Sequence, residues 1–428
     1  MSAMTLSMLR GMIAGSRSEK EIKEKLQEII ELIEQKILRQ INEIYCCSEF
    51  EKIESSWQGL AYITKSVAVY NHVKLLILPI SKKEIFLDMI RSSKLESPDC
   101  DKTNMFEKIF GERINSLGAD PISVVIVDDY FDSTARDVAL QSYFTRFGVA
   151  CGAPFLLGVA PSMMNCDAWE EIGVRRDVGA IFETPPYRRW QDLRTLADAR
   201  FLFLTFPRFS WRKPYGAGQA DDIEIESVID SLDRTRTCWI NSAYGIAAVV
   251  ARSFEETGWF KEIAGPHAGD IGIAGNQPSG EPSIEFNVGE DEHAISQLGF
   301  VPLAISANPK QLCYFAENSI KIAENLNQQI LFSLSSILIE SFLSKYIYQL
   351  VSEKYRDYKN DDLELALNEW LRTLVGGAFR DHKRPLASGY VEIIQEYSDE
   401  IRFARLRIVP GYQSAKSSVE IMRTFWVP

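Results

Sequence analysis

ISVVIVDD (residues 122–129), PFLLGVAP (154–161) and RFLFLTFPRF (200–209) are three apolar runs of strand length inside one stretch from Pro121 to Pro214. Each is apolar at consecutive rather than alternate positions, the pattern of strands covered on both faces, and the segments between them read as helices. Parallel strands joined by covering helices follow, with a right-handed βαβ unit as the first piece. In the first connection Asp132, Ser133 and Thr134 offer cap oxygens and Asp137 follows Thr134 at capping-box spacing. Val138, Phe144 and Phe147 then recur at about helical spacing before Gly148, Gly152 and Pro154 turn the chain into the next strand.

The chain has 428 residues, 46% hydrophobic and 25% charged, enough to bury a large core in two or three domains. A formal charge of −12 and the lack of a Lys/Arg-rich run argue against nucleic acid as a partner. Seven cysteines without paired CxxC spacing argue against a disulfide framework or a zinc site, and a reducing, cytoplasmic compartment is expected. No run reaches the ~20 apolar residues that span a bilayer, so no membrane insertion is expected.

Upstream, Ser18 and Glu21 form a capping-box pattern, and Ile22, Leu26, Ile29, Ile33, Ile37, Ile41 and Ile44 then return every three or four residues. This predicts a long amphipathic helix whose stripe packs on its own domain or on a partner helix. Trp57 and Leu60 share a helical face as a buried anchor, with Gly59 permitting close backbone approach. VKLLILPI (73–80) reads as a further strand, and Ser81 with Glu84 caps a helix carrying Ile85, Phe86, Met89 and Ile90.

A surface loop over 91–102 and a helix around Phe106–Leu117 lead into the central stretch. After it come WRKPYG, an acidic loop and a tightly packed, small-residue-rich helix in CWINSAYGIAAVVARSFEETGW. Residues 258–299 read as an irregular loop in which only EPSIEFNV is a strand. A helical block over 309–355, an amphipathic helix near 361–374 centred on Trp370, and three β-rich segments ending the chain complete the reading.

The expected fold is an α/β body with a largely parallel sheet flanked by helices, plus a C-terminal helical and β-rich domain. Boundaries are expected at 1–56 (arm and amphipathic helix), 57–330 (body) and 331–428 (C-terminal domain). In the last strands Ala404, Leu406 and Ile408 alternate with Phe403, Arg405 and Arg407, an apolar face against a largely basic one. A strand at a chain end leaves an edge that accepts a strand from another chain. The candidate partner-binding residues are Ile22, Leu26, Ile29, Ile33 and Ile37 of the stripe and Val391, Ile393, Phe403, Leu406 and Ile408 of the strands.

Asp128, Asp129 and Asp132 lie beyond the carboxyl end of a strand, where open α/β folds place ligands, and three carboxylates suit a hard metal ion. Helix capping explains the same spacing. His72, His267, His293 and His382 fit no HExxH pattern, no GxSxG elbow is present, and GPHAGDIGIAG lacks the ending of a phosphate loop. No catalytic, cofactor or metal residue is assigned. A metal-dependent or nucleotide-binding enzyme using the aspartate corner stands as the alternative.

Several segments, taken in order, resemble a known family: ILRQINEIYCCSEFEKIESSWQGLAYI, DDYFDSTARDVAL, GAPFLLGVAPSMMN, WEEI, ARFLFLTFPRFSWRKPYG, SAYGIAAVVARSFEETGWF, ISQLGFVPL, NEWLRTLVGG, KRPLASGYVEI and RIVPGY. Over about residues 35–428 the chain is similar to the large subunit of the type VI secretion contractile sheath, the TssC (VipB, EvpB) family. The resemblance implies a structural, non-enzymatic role in the bacterial cytoplasm. It implies pairing with a small (TssB/VipA-like) subunit and assembly of the pairs into a helical tube around an inner tube of hexameric rings on a baseplate. Contraction drives the inner tube outward. It further implies a lumen-facing C-terminal domain, terminal strands that interlock neighbouring protomers, and disassembly by an AAA+ ATPase engaging an N-terminal helix. The chain departs from the family pattern in a short arm before Trp57 and in QPSGEPSIEFNV, which replaces the usual Gly-Leu-Pro stretch.

Overall fold

The computed structural model describes residues 19–45, 47–93, 121–174, 178–211, 237–261, 263–276, 282–307, 310–376, 384–395, 402–411 and 419–428. Ser18, the helix expected around Phe106–Leu117, the acidic loop after Trp211 and His382 lie outside them. The chain divides into two compact units, Met1–Gln58 with Arg212–Cys238, and Gly59–Trp211 with Trp239–Pro428.

The first unit contains α1 (Glu19–Tyr45) and the start of α2 (Ser48–Val67). Glu49 and Glu51 in the first turn of α2 suit the positive end of the helix. Trp57 is 67% exposed, so the expected buried anchor is not one within this chain. The buried positions lie further on, at Gly59, Tyr62, Ile63 and Val67. A Cβ on Gly59 would stand 2.3 Å from the Tyr244 ring, so only glycine admits this approach.

In the second unit, α3 (Lys82–Ser93) starts from Ser81, whose N–H and hydroxyl both donate to Glu84, at 2.8 and 2.6 Å. Then come β1 (Val125–Phe131), α4 (Ala135–Cys151), β2 (Phe155–Val159), α5 (Gly179–Phe182), α6 (Arg188–Thr195) and β3 (Leu202–Phe206). The three apolar runs are thus three strands, and β1–β2 and β2–β3 pair in parallel, Val125 opposite Phe155 and Phe155 opposite Leu202. Consecutive residues such as Leu156 and Leu157 are both fully buried, which requires cover on both faces. Phe144 and Phe147 of α4 pack against Phe155 in a core that also holds Trp169, Trp190, Phe206 and Phe300. At the end of α4, Gly152 takes the left-handed conformation at φ 58° and closes the helix through its N–H.

The sheet continues through α7 (Ala243–Thr257), β4 (Asp270–Ala274), α8 (Glu292–Gln297), β5 (Phe300–Ile305) and β6 (Gln311–Tyr314). Its order is β1-β2-β3-β5-β6-β4, with β3–β5 parallel and β5–β6 and β4–β6 antiparallel. The small residues of α7, buried at Ala243, Gly245 and Ala248, bring it close to the sheet. β5 is central although Gly299 and Pro302 interrupt its run. β6 falls inside the expected helical block over 309–355, whose helices are α9 (Leu326–Leu331) and α10 (Leu334–Lys354). EPSIEFNV is not a strand: Pro282 and Ile284 make isolated bridges to Asn276 and Phe209, and this backbone ties two other segments together.

VKLLILPI (73–80) is not paired into any strand either, although its run has the composition of one. The chain ends with α11 (Asn360–Thr373), β7 (Leu386–Gln395), β8 (Arg402–Pro410) and β9 (Ile421–Val427), the last three forming the expected antiparallel meander β7-β8-β9. Its inner face and one side of α10 and α11 share a core of Ile339, Leu343, Ile347, Leu363, Leu367, Leu406 and Ile408. Among the described residues no helix is long and apolar enough to cross a membrane.

Candidate functional site

The aspartate corner is a structural joint. Pairing of β1 with β2 slips between Val127 and Tyr130, so Asp128 and Asp129 occupy an irregularity in β1. The Asp129 carboxylate accepts from the Tyr130 N–H at 2.8 Å, and its carbonyl accepts from Asn241. Asp128 lies against the Tyr244 phenol, whose pKa rises through burial and then through this negative neighbour. Asp132 is not the cap of α4. Thr134 is, accepting from the Asp137 N–H at 3.4 Å, while Asp132 accepts from the Thr134 N–H at 2.8 Å in the turn before it.

Asp137 accepts from the Asp132 N–H and pairs with Lys82 of α3 at 2.8 Å. Burial raises its pKa and Lys82 opposes the rise. Each carboxylate thus points at its own local partner, and no three acidic, His or Cys side chains converge as a metal-binding group among the described residues. The metal-site reading of this corner finds no support among the described residues.

The stripe of α1 is differently placed from residue to residue. Ile29 is buried, whereas Leu26, Ile33 and Ile37 are exposed, as are Ile30, Leu32 and Ile44 beside them. The expectation that the stripe packs on its own domain therefore fails along most of its length, and these positions remain open to a partner. Nothing is described of the Ile22 side chain.

In the C-terminal sheet Val391, Leu406 and Ile408 are fully buried in the domain's own core and Ile393 is packed against it. The opposite face carries Phe403, Arg405 and Arg407 between Tyr390, Met422 and Trp426. Glu392 pairs across the strands with Arg405 at 3.2 Å and Arg407 at 3.7 Å. The two outer edges differ. On β7, Asn368 of α11 accepts from the Val391 N–H at 2.9 Å and donates to its carbonyl at 2.7 Å, and Glu364 accepts from the Ile393 N–H at 2.9 Å. Two helix side chains therefore occupy the backbone groups of that edge. Among the described residues no further strand or backbone hydrogen bond closes the edge of β9. Asn368 stands among the buried Leu363, Leu367 and Leu371 of α11, a polar interruption that marks a buried partner without identifying it.

A charge cluster joins the sheet to the body. Glu340, fully buried on α10, takes a two-point contact from Arg200 before β3, at 2.8 and 3.0 Å, and faces Arg423 of β9 at 3.5 Å. Arg423 also donates to Ser341 and to the Val149 carbonyl. Beside it Lys345 donates to the Ile122 carbonyl at 2.5 Å. Burial, and then Arg423, push the Lys345 ammonium down to about 7. Sequence reading had no signal for this cluster, because its members are 140 and more than 80 residues apart.

Residues 27–321 match the VipB family, described as EvpB/VC_A0108, tail sheath N-terminal domain. The type VI secretion system sheath protein TssC1 of Pseudomonas aeruginosa is 28% identical over 418 residues, an overlap of 91% of this chain and 81% of that protein. Among solved structures, a sheath tail protein from Listeria innocua aligns with a TM-score of 0.42 at 9% identity, covering 83% of this chain and 62% of that one. The anti-feeding prophage helical sheath in its contracted state aligns with a TM-score of 0.35 at 10% identity, covering 85% and 82%.

Proposed function

The chain belongs to the EvpB/VipB tail sheath family, and on that premise we propose that it is the large subunit of a type VI secretion contractile sheath. In this reading it pairs with a small sheath subunit, and the pairs build a helical tube on a baseplate around an inner tube that contraction drives outward. The family match across residues 27–321 carries the proposal.

The surfaces described above are compatible with it. The exposed positions of α1, Leu26, Ile33 and Ile37, form a stripe for a helix of another subunit. The free edge of β9 suits strand addition from a neighbouring protomer, with Phe403, Arg405 and Arg407 on the outward face. Residues 1–56 act as an arm, which also offers a hold for a disassembling AAA+ ATPase. Residues 57–330 form the sheath body, and 331–428 face the lumen.

Co-expression with the small subunit tests the proposal. A stable complex that elongates into tubes is expected. Ile33→Asp, at an exposed position, should lower the yield of the complex. A chain that stays monodisperse and never binds the small subunit would overturn the reading.

A further inference from the structure

A cleft opens where the turn from α8 into β5 meets the segment that leads into α9, lined by Gln297, Gly299, Asn318, Ser319, Lys321 and Gln329. It lies wholly within the second compact unit. Apart from Gly299, each of these side chains carries a hydrogen-bond donor, and no acidic side chain among the described residues lines the cleft. The acid next in sequence, Glu317, serves α10 instead: its carboxylate accepts from the Ser335 N–H at 2.8 Å and from the Ser335 hydroxyl at 2.7 Å.

Three groups at this cleft lack a partner of the right kind. Ser319 is 2% exposed, and its hydroxyl has no hydrogen-bond partner among the described residues, a costly state for a buried polar group. The Lys321 ammonium donates to the Thr195 carbonyl at 2.6 Å, a neutral acceptor. Arg194, in the last turn of α6, is buried, and its Nη2 lies beside Gly299 of the cleft wall, 3.2 Å from where a Cβ would stand. Its Nε donates to the Ile320 carbonyl at 2.8 Å, its Nη1 reaches the Gln191 side-chain oxygen at 3.5 Å, and it lies over the Trp190 ring. All of these are neutral. Burial pushes the Arg194 guanidinium down to about 10, with no carboxylate holding it up.

The two cations are held close together, because Arg194 bonds the residue before Lys321 and Lys321 bonds the residue after Arg194. The formal charge of −12 repels anions at long range, but salt screens that field beyond about 8 Å, and the local cations decide. A water in the cleft would satisfy the Ser319 hydroxyl and leave both charges uncompensated. An apolar ligand would leave the hydroxyl unpaired as well. An oxyanion accepts from the hydroxyl and the ammonium and supplies the missing negative charge. We propose that this cleft is a binding site for one small oxyanion of the phosphate or carboxylate class, contacted by Ser319 and Lys321 and balanced by Arg194 beside Gly299. The site goes beyond the sheath reading and does not depend on it.

Calorimetric titration of the full chain with inorganic phosphate and with acetate, at fixed ionic strength, tests the proposal. Saturable one-to-one binding of at least one of them is expected. Ser319→Ala removes a hydroxyl that no described group of this chain uses, so it should leave the melting of the anion-free chain unchanged and weaken binding about fivefold. Lys321→Met should weaken it about tenfold or more, the loss of a charge-assisted bond. Titration of tubes assembled with the small subunit separates the sources of the anion: a free anion still binds there, whereas the carboxylate of a neighbouring subunit excludes the probe, and either agrees with an oxyanion site. Absence of saturable binding of both probes to the unaltered chain overturns the site, as does equal affinity in the two variants, and neither result touches the sheath reading.

Discussion

Glu340→Gln should cut the tie between the C-terminal sheet and the body. The carboxylate is fully buried and faces the Arg200 guanidinium at two points and Arg423 at 3.5 Å, with Lys345 next to Arg423. Glutamine keeps one acceptor oxygen, places an N–H₂ against a donor and leaves two guanidinium groups without a counter-charge. Breaking a buried pair from one side costs about 3–5 kcal/mol, and the partial exposure of the Arg200 side chain, 25%, argues for the lower end, about 3 kcal/mol.

That is a large part of a typical stability of about 5–15 kcal/mol. Urea unfolding of the variant and hydrogen exchange over 419–428 read it directly, and β9 should exchange faster than β2. Replacing the set together, with Glu340→Leu, Arg200→Met and Arg423→Met, should restore most of the loss, since neither guanidinium is then left without its counter-charge. A loss under about 1 kcal/mol in Glu340→Gln with unchanged exchange in β9 would refute the tie.

Thr134→Ala should cost about 1 kcal/mol in thermal or urea unfolding, the usual loss for a helix cap, and no loss would remove Thr134 from that role. Gly59→Ala places a methyl group in the Tyr244 ring and should destabilise by about 1–3 kcal/mol, while Tyr244→Ala in the same chain should relieve the clash; an unaltered melting curve in the single variant contradicts the contact. Burial holds the folded Lys345 ammonium down to about 7, against its ordinary value of 10.5 in the unfolded chain. Between those values the unfolded chain binds the proton that the folded chain has lost, so stability from this residue rises with pH. Lys345→Met should flatten that rise between pH 7 and 9.5, and an equal slope in both proteins would deny the buried ammonium.

The parallel core was legible because Val125–Phe131, Phe155–Val159 and Leu202–Phe206 are continuous apolar runs, a pattern that only cover on both faces explains. The meander at the end of the chain was legible from alternation in Phe403–Ile408. β5 and β6 were hidden by Gly299, Pro302 and their shortness, and they are strands through pairing with distant partners rather than through local preference. The same reasoning inverts at 73–80, where composition calls for a strand and no neighbour among the described residues pairs it.

The candidate surfaces were legible only as stripes and edges. Which edge is closed depends on Asn368 and Glu364 reaching β7 from α11, contacts across 23 and 29 residues that periodicity does not encode. The aspartates illustrate the converse: close spacing in sequence suggested a shared ligand, and the slip in β1 sends each carboxylate to a separate partner.

Cryo-electron microscopy of the chain co-expressed with the small sheath subunit tests the central claim most directly. The account predicts hollow helical tubes built from both chains, with the β7-β8-β9 sheet toward the lumen and the β9 edge extended by a strand from a neighbouring protomer. Discrete globular particles containing this chain alone, under conditions where both chains are present and folded, would contradict it.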